Sequence, residues 1–196
     1  MKTDKAPKEH SPSEIEHYAE QLRVLLRLSG MAHFNIISAV ENDLPRHLQN
    51  FSIEVFSREE LSVAAHTEFG PARVLVRQDV YDGAHRDDPK SRFTIAHELG
   101  HLCLHWGYPM PRLAPESPQF QRSPTKRRVE AEANLFASAF LMPRAVALKY
   151  NNKNRLANIC RVSELAATIR LSHLLFPTDE LTTTDVRNLF GIDKAE

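Results

Sequence analysis

The sequence predicts a single domain of the α+β class, and three observations support that prediction. Three short segments, 51–56, 61–66 and 72–77, have the apolar and β-branched composition of strands. Longer stretches before and after them repeat apolar residues at helical spacing. The chain of 196 residues is long enough for one domain with a core, whereas two domains would be crowded. We therefore expect a short antiparallel sheet combined with helices.

The N-terminal part divides into a polar lead-in and two helices. Residues 1–12 are polar and are predicted to be disordered. Ser13 and Glu16 have the spacing of a capping box, and apolar residues follow at helical spacing, which predicts a helix over Ser13–Ser29. A second, short helix is predicted over Ile36–Asp43.

Turns and loops separate the next elements. Phe69-Gly70-Pro71 predicts a turn between the second and third strands. Residues 82–90 are polar and are predicted to form a loop. Residues 107–124 contain five of the twelve prolines, which excludes regular structure and predicts a long loop.

Helices dominate the second half of the chain. One is predicted at about 91–106, and another begins at Ser123-Pro124 and ends at Leu141. Shorter helices are expected at 144–150, 154–160, 163–175 and 184–190. The main domain is predicted to span residues 13–150, and residues 151–196 form a helical extension packed on it.

The composition excludes several classes of protein. Lys and Arg together number 25, as do Asp and Glu, so no overall charge favours nucleic acid or an anionic membrane as a partner. The two cysteines are too few for a disulfide framework. The sequence has neither a signal peptide nor an apolar segment of the roughly 20 residues that cross a membrane. We expect a cytoplasmic protein.

The segment FTIAHELGHLCLH, residues 93–105, has the pattern of a metal-binding helix. His97 and His101 lie one turn apart, with Glu98 beside them, and the rest of the helix is apolar. Imidazoles and a carboxylate inside an apolar shell are costly unless something satisfies them. His-Glu-x-x-His is the spacing at which zinc peptidases bind the metal through two histidines and use the glutamate as general base. The sequence therefore predicts two ligands and a catalytic Glu98.

A third ligand is expected from elsewhere, because catalytic zinc takes three protein ligands and a water molecule. Tyr108 stands where an extended motif would have a third histidine. The helix that ends at Leu141 carries Glu130 and Glu132 on opposite flanks of its apolar stripe, and periodicity does not distinguish between them. Gly100 indicates close packing at the site, because glycine inside a helix costs about 1 kcal/mol relative to alanine.

With both helices in view, the chain resembles the ImmA/IrrE family of zinc metallopeptidases. The matching segments are RFTIAHELGHLCLH (92–105), EAEANLFASAFLMP (130–143) and, more loosely, LANICRVSELAATIRL (156–171). The resemblance implies a zincin-like fold, one Zn²⁺ per chain, and a third ligand immediately before Ala-Asn, which is Glu132. It also implies action on helix-turn-helix transcriptional repressors.

Three further residues are candidates for contacts with the metal ligands without binding the metal themselves. They are His105, Tyr108 and Asn134. His105 lies one turn beyond His101 on the same edge of its helix, where a hydrogen bond is favoured over ligation.

The motifs predict a zinc endopeptidase. The resemblance to the ImmA/IrrE family further implies a limited cleavage in a helix-turn-helix repressor, which would relieve repression in a mobile element, a phage or a stress regulon. Mn²⁺ or Fe²⁺ would fit the same ligands. The alternative is a non-proteolytic anti-repressor that retains the zinc site. A DNA-binding role for the C-terminal helices is less favoured, because their basic residues are few and scattered. Direct nucleic-acid binding and membrane association are not expected.

Overall fold

A computed structural model describes residues 7–107 and 123–175. The fold is α+β, as predicted, with a three-stranded sheet and helices that share one apolar core. The strands are β1 (Ser52–Phe56), β2 (Ala65–Glu68) and β3 (Arg73–Arg77). The helices are α1 (Pro12–Leu25), α2 (Ile36–Ser38), α3 (Gln78–His85), α4 (Pro89–Leu104), α5 (Pro124–Leu141), α6 (Arg144–Lys149), α7 (Lys153–Cys160) and α8 (Glu164–Leu175). No helix in these two stretches is both long and apolar enough to span a membrane.

The capping box of helix α1 lies two residues before the one predicted from the sequence, and the helix ends at Leu25 instead of Ser29. Its N-cap is Ser11, which forms a capping box with Glu14, and not Ser13 with Glu16. The Ser-x-x-Glu spacing occurs at both places. Pro12 decides between them, because proline lacks an N–H and has a φ suited to the first helical position. Helix α2 continues through a π-helical turn, Ala39–Asp43, which accounts for the second predicted helix.

Residues 7–11 are ordered against the domain, so the prediction of a disordered lead-in is wrong for this part of it. The His10 side chain is buried, and its Nε2 lies 3.1 Å from the carbonyl oxygen of Leu104 at the end of α4. Arg128 of α5 donates hydrogen bonds to the carbonyl oxygens of Pro7 and Lys8. Residues 1–6 lie outside the described part of the chain.

The sheet has the order β1-β3-β2 and mixed strand directions. Strands β2 and β3 are antiparallel and are joined by the predicted turn at Phe69–Pro71, whereas β1 runs parallel to β3. The expectation of an entirely antiparallel sheet is therefore wrong for one pair. The reason is that β2 starts at Ala65, four residues later than predicted, and β3 lies between the other two strands. Val74 and Val76 of β3 are fully buried.

The predicted polar loop at 82–90 contains the end of helix α3 and the start of α4. Val80, Gly83 and Ala84 are buried in α3 at helical spacing. His85 and Arg86, which follow them, are exposed, and this run of polar residues has the pattern of a loop in the sequence. Helix α4 begins after Asp88, whose side chain accepts a hydrogen bond from the Ser91 backbone N–H at 2.8 Å.

The C-terminal helices pack on the same core as the rest of the described chain. Leu156 and Cys160 of α7 and Ala167 of α8 are fully buried in it. Arg170 of α8 is also buried, donates a hydrogen bond to the carbonyl oxygen of Met142 at 2.9 Å, and pairs with Glu16 of α1. The helix predicted at 184–190 lies outside the described residues.

Helices α4 and α5 approach each other closely at Gly100. A Cβ atom at this position would lie 3.0 Å from both the Cα atom and the carbonyl oxygen of Ala133, and 3.2 Å from the Cβ atom of Phe136. Two of these three atoms belong to the backbone of α5, so the neighbour cannot yield by rotating a side chain. Gly100 therefore sets the distance between the two helices.

Replacing Gly100 by alanine should destabilise the protein, although alanine is the better helix former. The added methyl group should cost about 1–3 kcal/mol in this packed contact, which outweighs a gain of up to about 1 kcal/mol in helix propensity. Urea unfolding of Gly100→Ala measures the difference. The control is Thr94→Ala in the same helix, which should change stability by about 0.5 kcal/mol or less. An increase in stability for Gly100→Ala would contradict the close contact.

Candidate metal centre

Helix α4 brings the two predicted histidine ligands together. His97 and His101 are one turn apart, and their Nε2 atoms lie 3.0 Å from each other. The ring of His101 is buried, whereas that of His97 is partly exposed. The two nitrogen atoms therefore converge on a point at the surface of an otherwise buried helix.

Glu130 of α5 supplies a carboxylate at the same point. Its Oε2 lies 3.2 Å from Nε2 of His97, and its Oε1 lies 3.8 Å from Nε2 of His101. The potential ligand atoms of the three residues all lie within 4.8 Å of one another, a spacing at which they could hold one metal ion. They are the one such group found among residues 7–107 and 123–175.

Glu132 does not occupy the position that the sequence analysis assigned to it. Its Oε2 lies 3.1 Å from Nε2 of His105, and its Oε1 accepts a hydrogen bond from Arg128 at 2.8 Å. Residues 130 and 132 differ by about 200° around a helix, so only one of them faces α4 at the level of the two histidines. The structure places Glu130 there, whereas the resemblance implied Glu132 as the third ligand.

The contact between α4 and α5 explains why Glu130 is the residue that faces the site. Ala133 packs against Gly100, and Glu130 precedes it by one helical turn. Asn134, four residues after Glu130, lies on the same side of α5. Positions 130, 133 and 134 therefore lie on the side of α5 that meets α4 at the level of His97 and Gly100.

Asn134 contacts the first histidine of the pair, His97. Its Oδ1 lies 2.9 Å from Nδ1 of His97. An amide oxygen only accepts hydrogen bonds, so Nδ1 of His97 carries the proton that it donates. This contact orients the ring so that Nε2 faces His101 and Glu130.

His105 makes the corresponding contact with the second histidine. The side chain is buried, and its Nδ1 lies 3.1 Å from Nδ1 of His101. It contacts the ring of His101 and does not lie at the convergence point. Tyr108, the third candidate, lies outside the described residues.

Glu98 lies beside the convergence point in a buried position. Its Oε2 accepts a hydrogen bond from the Thr67 hydroxyl at 2.7 Å, and the same hydroxyl lies 3.0 Å from the Glu98 carbonyl oxygen. Burial raises the pKa of Glu98, and the Thr67 hydrogen bond partly opposes that rise. A carboxyl group with a raised pKa is a suitable proton acceptor near neutral pH. Thr67 was not identified from the sequence, because β2 was placed too early.

The electrostatics of the site favour a bound cation. Burial and the neighbouring His97 lower the pKa of His101 to about 3, which leaves its ring neutral. Burial alone would raise the pKa of Glu130, but the hydrogen bond and the electrostatic interaction with His97 lower it. Burial opposes the charging of His97, yet its pKa is raised because the carboxylates of Glu130 and Glu98 are close. The nearby negative charge favours a proton on His97, and it would equally favour a bound metal cation.

The side chains present fit a divalent metal. Two imidazole nitrogens and one carboxylate oxygen are the ligand types that catalytic zinc sites use, with a fourth position open for water. The second ring nitrogen of each histidine contacts a residue outside the ligand set, which is typical of metal-binding histidines.

The fold and this site together define a domain of the His-Glu-x-x-His metallopeptidase type. The sequence matches the model of peptidase family M78, the IrrE N-terminal-like domain, over residues 51–172. The chain therefore belongs to this family, which confirms the resemblance seen in its motifs. The matched range includes α4 and α5 and all three residues at the convergence point.

A solved structure shares the fold. It is that of a Mycobacterium tuberculosis transcriptional regulator, with a TM-score of 0.51 and 17% sequence identity, over 83% of this chain and 52% of that chain. The present chain thus spans about half the length of that regulator. No curated protein matches the sequence.

Replacing Thr67 by valine should raise the pKa of Glu98 further. Valine keeps the branched shape of threonine but removes the hydroxyl that stabilises the charged carboxylate. The pKa of the carboxyl group is measured by ¹³C NMR of protein labelled at glutamate side chains. Thr94→Val, which removes a hydroxyl bonded to the Lys90 carbonyl oxygen in the same helix, should leave that pKa unchanged. An unchanged pKa in Thr67→Val would contradict the assigned contact.

Proposed function

We propose that the protein is a metal-dependent endopeptidase with Glu98 as its general base. The observation that carries the proposal is the convergence of His97, His101 and Glu130 beside a buried carboxylate. Membership of a peptidase family supports the same conclusion. The ligands are His97 and His101, as expected from the sequence, with Glu130 as the third.

The metal is proposed to be zinc, one ion per chain. Two nitrogen ligands and one oxygen ligand suit Zn²⁺, although Mn²⁺ or Fe²⁺ would accept the same set. When bound, the ion supplies positive charge that acidifies a water molecule and polarises the carbonyl group of a peptide bond.

Glu98 performs the proton transfers in this proposal. Its carboxylate accepts a proton from the attacking water and then donates it to the nitrogen atom of the leaving amine. Thr67 holds Oε2 by a hydrogen bond, which leaves Oε1 for the water molecule. Burial raises the pKa of Glu98, which favours acceptance of the proton from water, and the Thr67 hydrogen bond opposes that rise, which favours its later release.

The proposed substrate is a helix-turn-helix transcriptional repressor, whose limited cleavage relieves repression. This step comes from the resemblance of the chain to the ImmA/IrrE family. The solved structure that shares the fold is itself described as a transcriptional regulator, which is consistent with a regulatory context. The other proposal, an anti-repressor that binds its target without cleaving it, differs in needing no proton transfer from Glu98.

Removal of Glu130 should weaken metal binding more than removal of any other glutamate. Glu130→Ala deletes one of three ligands, so zinc affinity should fall by more than the roughly 10–100-fold that is typical when a residue outside the ligand set is lost. Competition with a chromophoric chelator measures the affinity. Glu20→Ala, on the exposed face of α1, is the control and should bind zinc like the wild type. If Glu132→Ala lost more affinity than Glu130→Ala, the assignment of the third ligand would be wrong.

Replacement of Glu98 by glutamine distinguishes the peptidase proposal from the anti-repressor proposal. Glutamine keeps the size of the side chain but cannot accept the proton, so cleavage should fall by about 10²–10⁴-fold while zinc stays bound. The assay follows cleavage of candidate helix-turn-helix regulators from the same genome, together with a reporter for derepression. Relief of repression at the wild-type level by Glu98→Gln would support sequestration and contradict the peptidase proposal.

A further inference from the structure

A line of buried, hydrogen-bonded side chains contacts His101 on the side of its ring that faces away from His97 and Glu130. Nδ1 of His101 lies 3.1 Å from Nδ1 of His105, and Nε2 of His105 lies 3.1 Å from Oε2 of Glu132. The side chains of all three residues are almost completely buried. Such groups are held in a low-dielectric interior, where each hydrogen bond must be made with the correct donor and acceptor.

Glu132 determines the direction of every hydrogen bond in this line. Its other oxygen, Oε1, accepts hydrogen bonds from Arg128 at 2.8 Å and from the His10 backbone N–H at 3.5 Å. A carboxylate that receives these donors is itself an acceptor, so His105 must donate its Nε2–H to Oε2. A neutral His105 then has its lone pair on Nδ1.

The same reasoning fixes the proton on the metal-ligand ring. Because Nδ1 of His105 accepts, Nδ1 of His101 must carry the hydrogen and donate it. A neutral His101 then has its lone pair on Nε2, the atom that faces His97 and Glu130. Only a ring nitrogen with a free lone pair binds a metal.

We infer that His105 and Glu132 are positioning residues, which hold His101 in the tautomer and orientation needed for metal binding. Asn134 does the same for His97 through a single contact. The inference rests on the proposed metal site, and it gives Glu132 a role that is distinct from ligation. Arg128 completes the arrangement, since its guanidinium binds Glu132 and the carbonyl oxygens of Pro7 and Lys8 at the same time.

The variant that tests this inference is Glu132→Gln, because it keeps the shape of the side chain and reverses the hydrogen bonds. Arg128 and the His10 N–H only donate, so they hold the amide oxygen of glutamine on their side. The amide NH₂ group then faces His105 and donates to its Nε2. His105 must in turn donate from Nδ1, which moves the proton of His101 to Nε2 and removes the lone pair that the metal needs.

The tautomer is measured directly, in metal-free protein with ¹⁵N-labelled histidine. Long-range ¹H–¹⁵N spectra distinguish the protonated nitrogen of a neutral ring from the one with the lone pair, and the His101 signals are assigned by their loss in His101→Gln. The wild type should have its proton on Nδ1 of His101, and Glu132→Gln should have it on Nε2. An identical tautomer in the two proteins would overturn the inference, whether or not the protein is a peptidase.

Zinc affinity gives the second readout and separates positioning from packing. Glu132→Gln should bind zinc about 10–100-fold more weakly than the wild type, and no more tightly than Glu132→Ala. If Glu132 only filled space, the isosteric glutamine would bind zinc like the wild type and alanine alone would be impaired, which would overturn the inference.

Comparison with Glu130→Ala distinguishes a failure of this inference from a failure of the proposed function. Loss of zinc binding in Glu130→Ala, with wild-type affinity in Glu132→Gln, would leave the metal site in place and refute positioning. Failure of the wild type to bind zinc at all would refute the proposed function, while the tautomer measurement would still decide the inference. Circular dichroism and the unfolding temperature of each variant show that the fold is retained.

Discussion

The close contact between α4 and α5 is the constraint on which the rest of the site depends. Gly100 meets the backbone of Ala133 with no space for a side chain, and this fixes both the distance between the helices and the rotation of α5. That rotation turns Glu130 and Asn134 towards His97 and sends Glu132 towards His105. Glu130 and Glu132, only two residues apart, thus have different environments because the facing residue, Gly100, has no side chain.

The site also depends on hydrogen bonds between buried polar groups. Each imidazole that faces the convergence point has a partner on its outer nitrogen, and the Glu98 carboxylate has the Thr67 hydroxyl. These partners come from α5, the end of α4 and strand β2, so four separate parts of the chain are joined at the site once the segment 7–11 is included. A buried polar group that loses its hydrogen-bond partner costs about 1–3 kcal/mol. Disorder at the site would therefore lower the stability of the fold.

The sequence predicted the parts of this arrangement that depend on local spacing. A helix with histidines at i and i+4 and an apolar remainder follows from periodicity alone, and the start of α5 follows from the capping residues Ser123-Pro124. Parts that depend on contacts between distant segments were missed or misplaced. Glu130 and Glu132 flank the apolar stripe equally, and only the packing of Ala133 on Gly100 distinguishes them. Thr67, the parallel pairing of β1 with β3 and the docking of His10 likewise depend on tertiary structure, which a single sequence does not reveal.

The position of the metal tests this account most directly. Crystals of zinc-loaded protein, with diffraction data collected on both sides of the zinc absorption edge, locate the ion without reference to any assumed ligand. The proposed site predicts one anomalous peak per chain, about 2.0–2.2 Å from Nε2 of His97, Nε2 of His101 and a carboxylate oxygen of Glu130. A peak between His105 and Glu132, or the absence of any peak near α4, would contradict it.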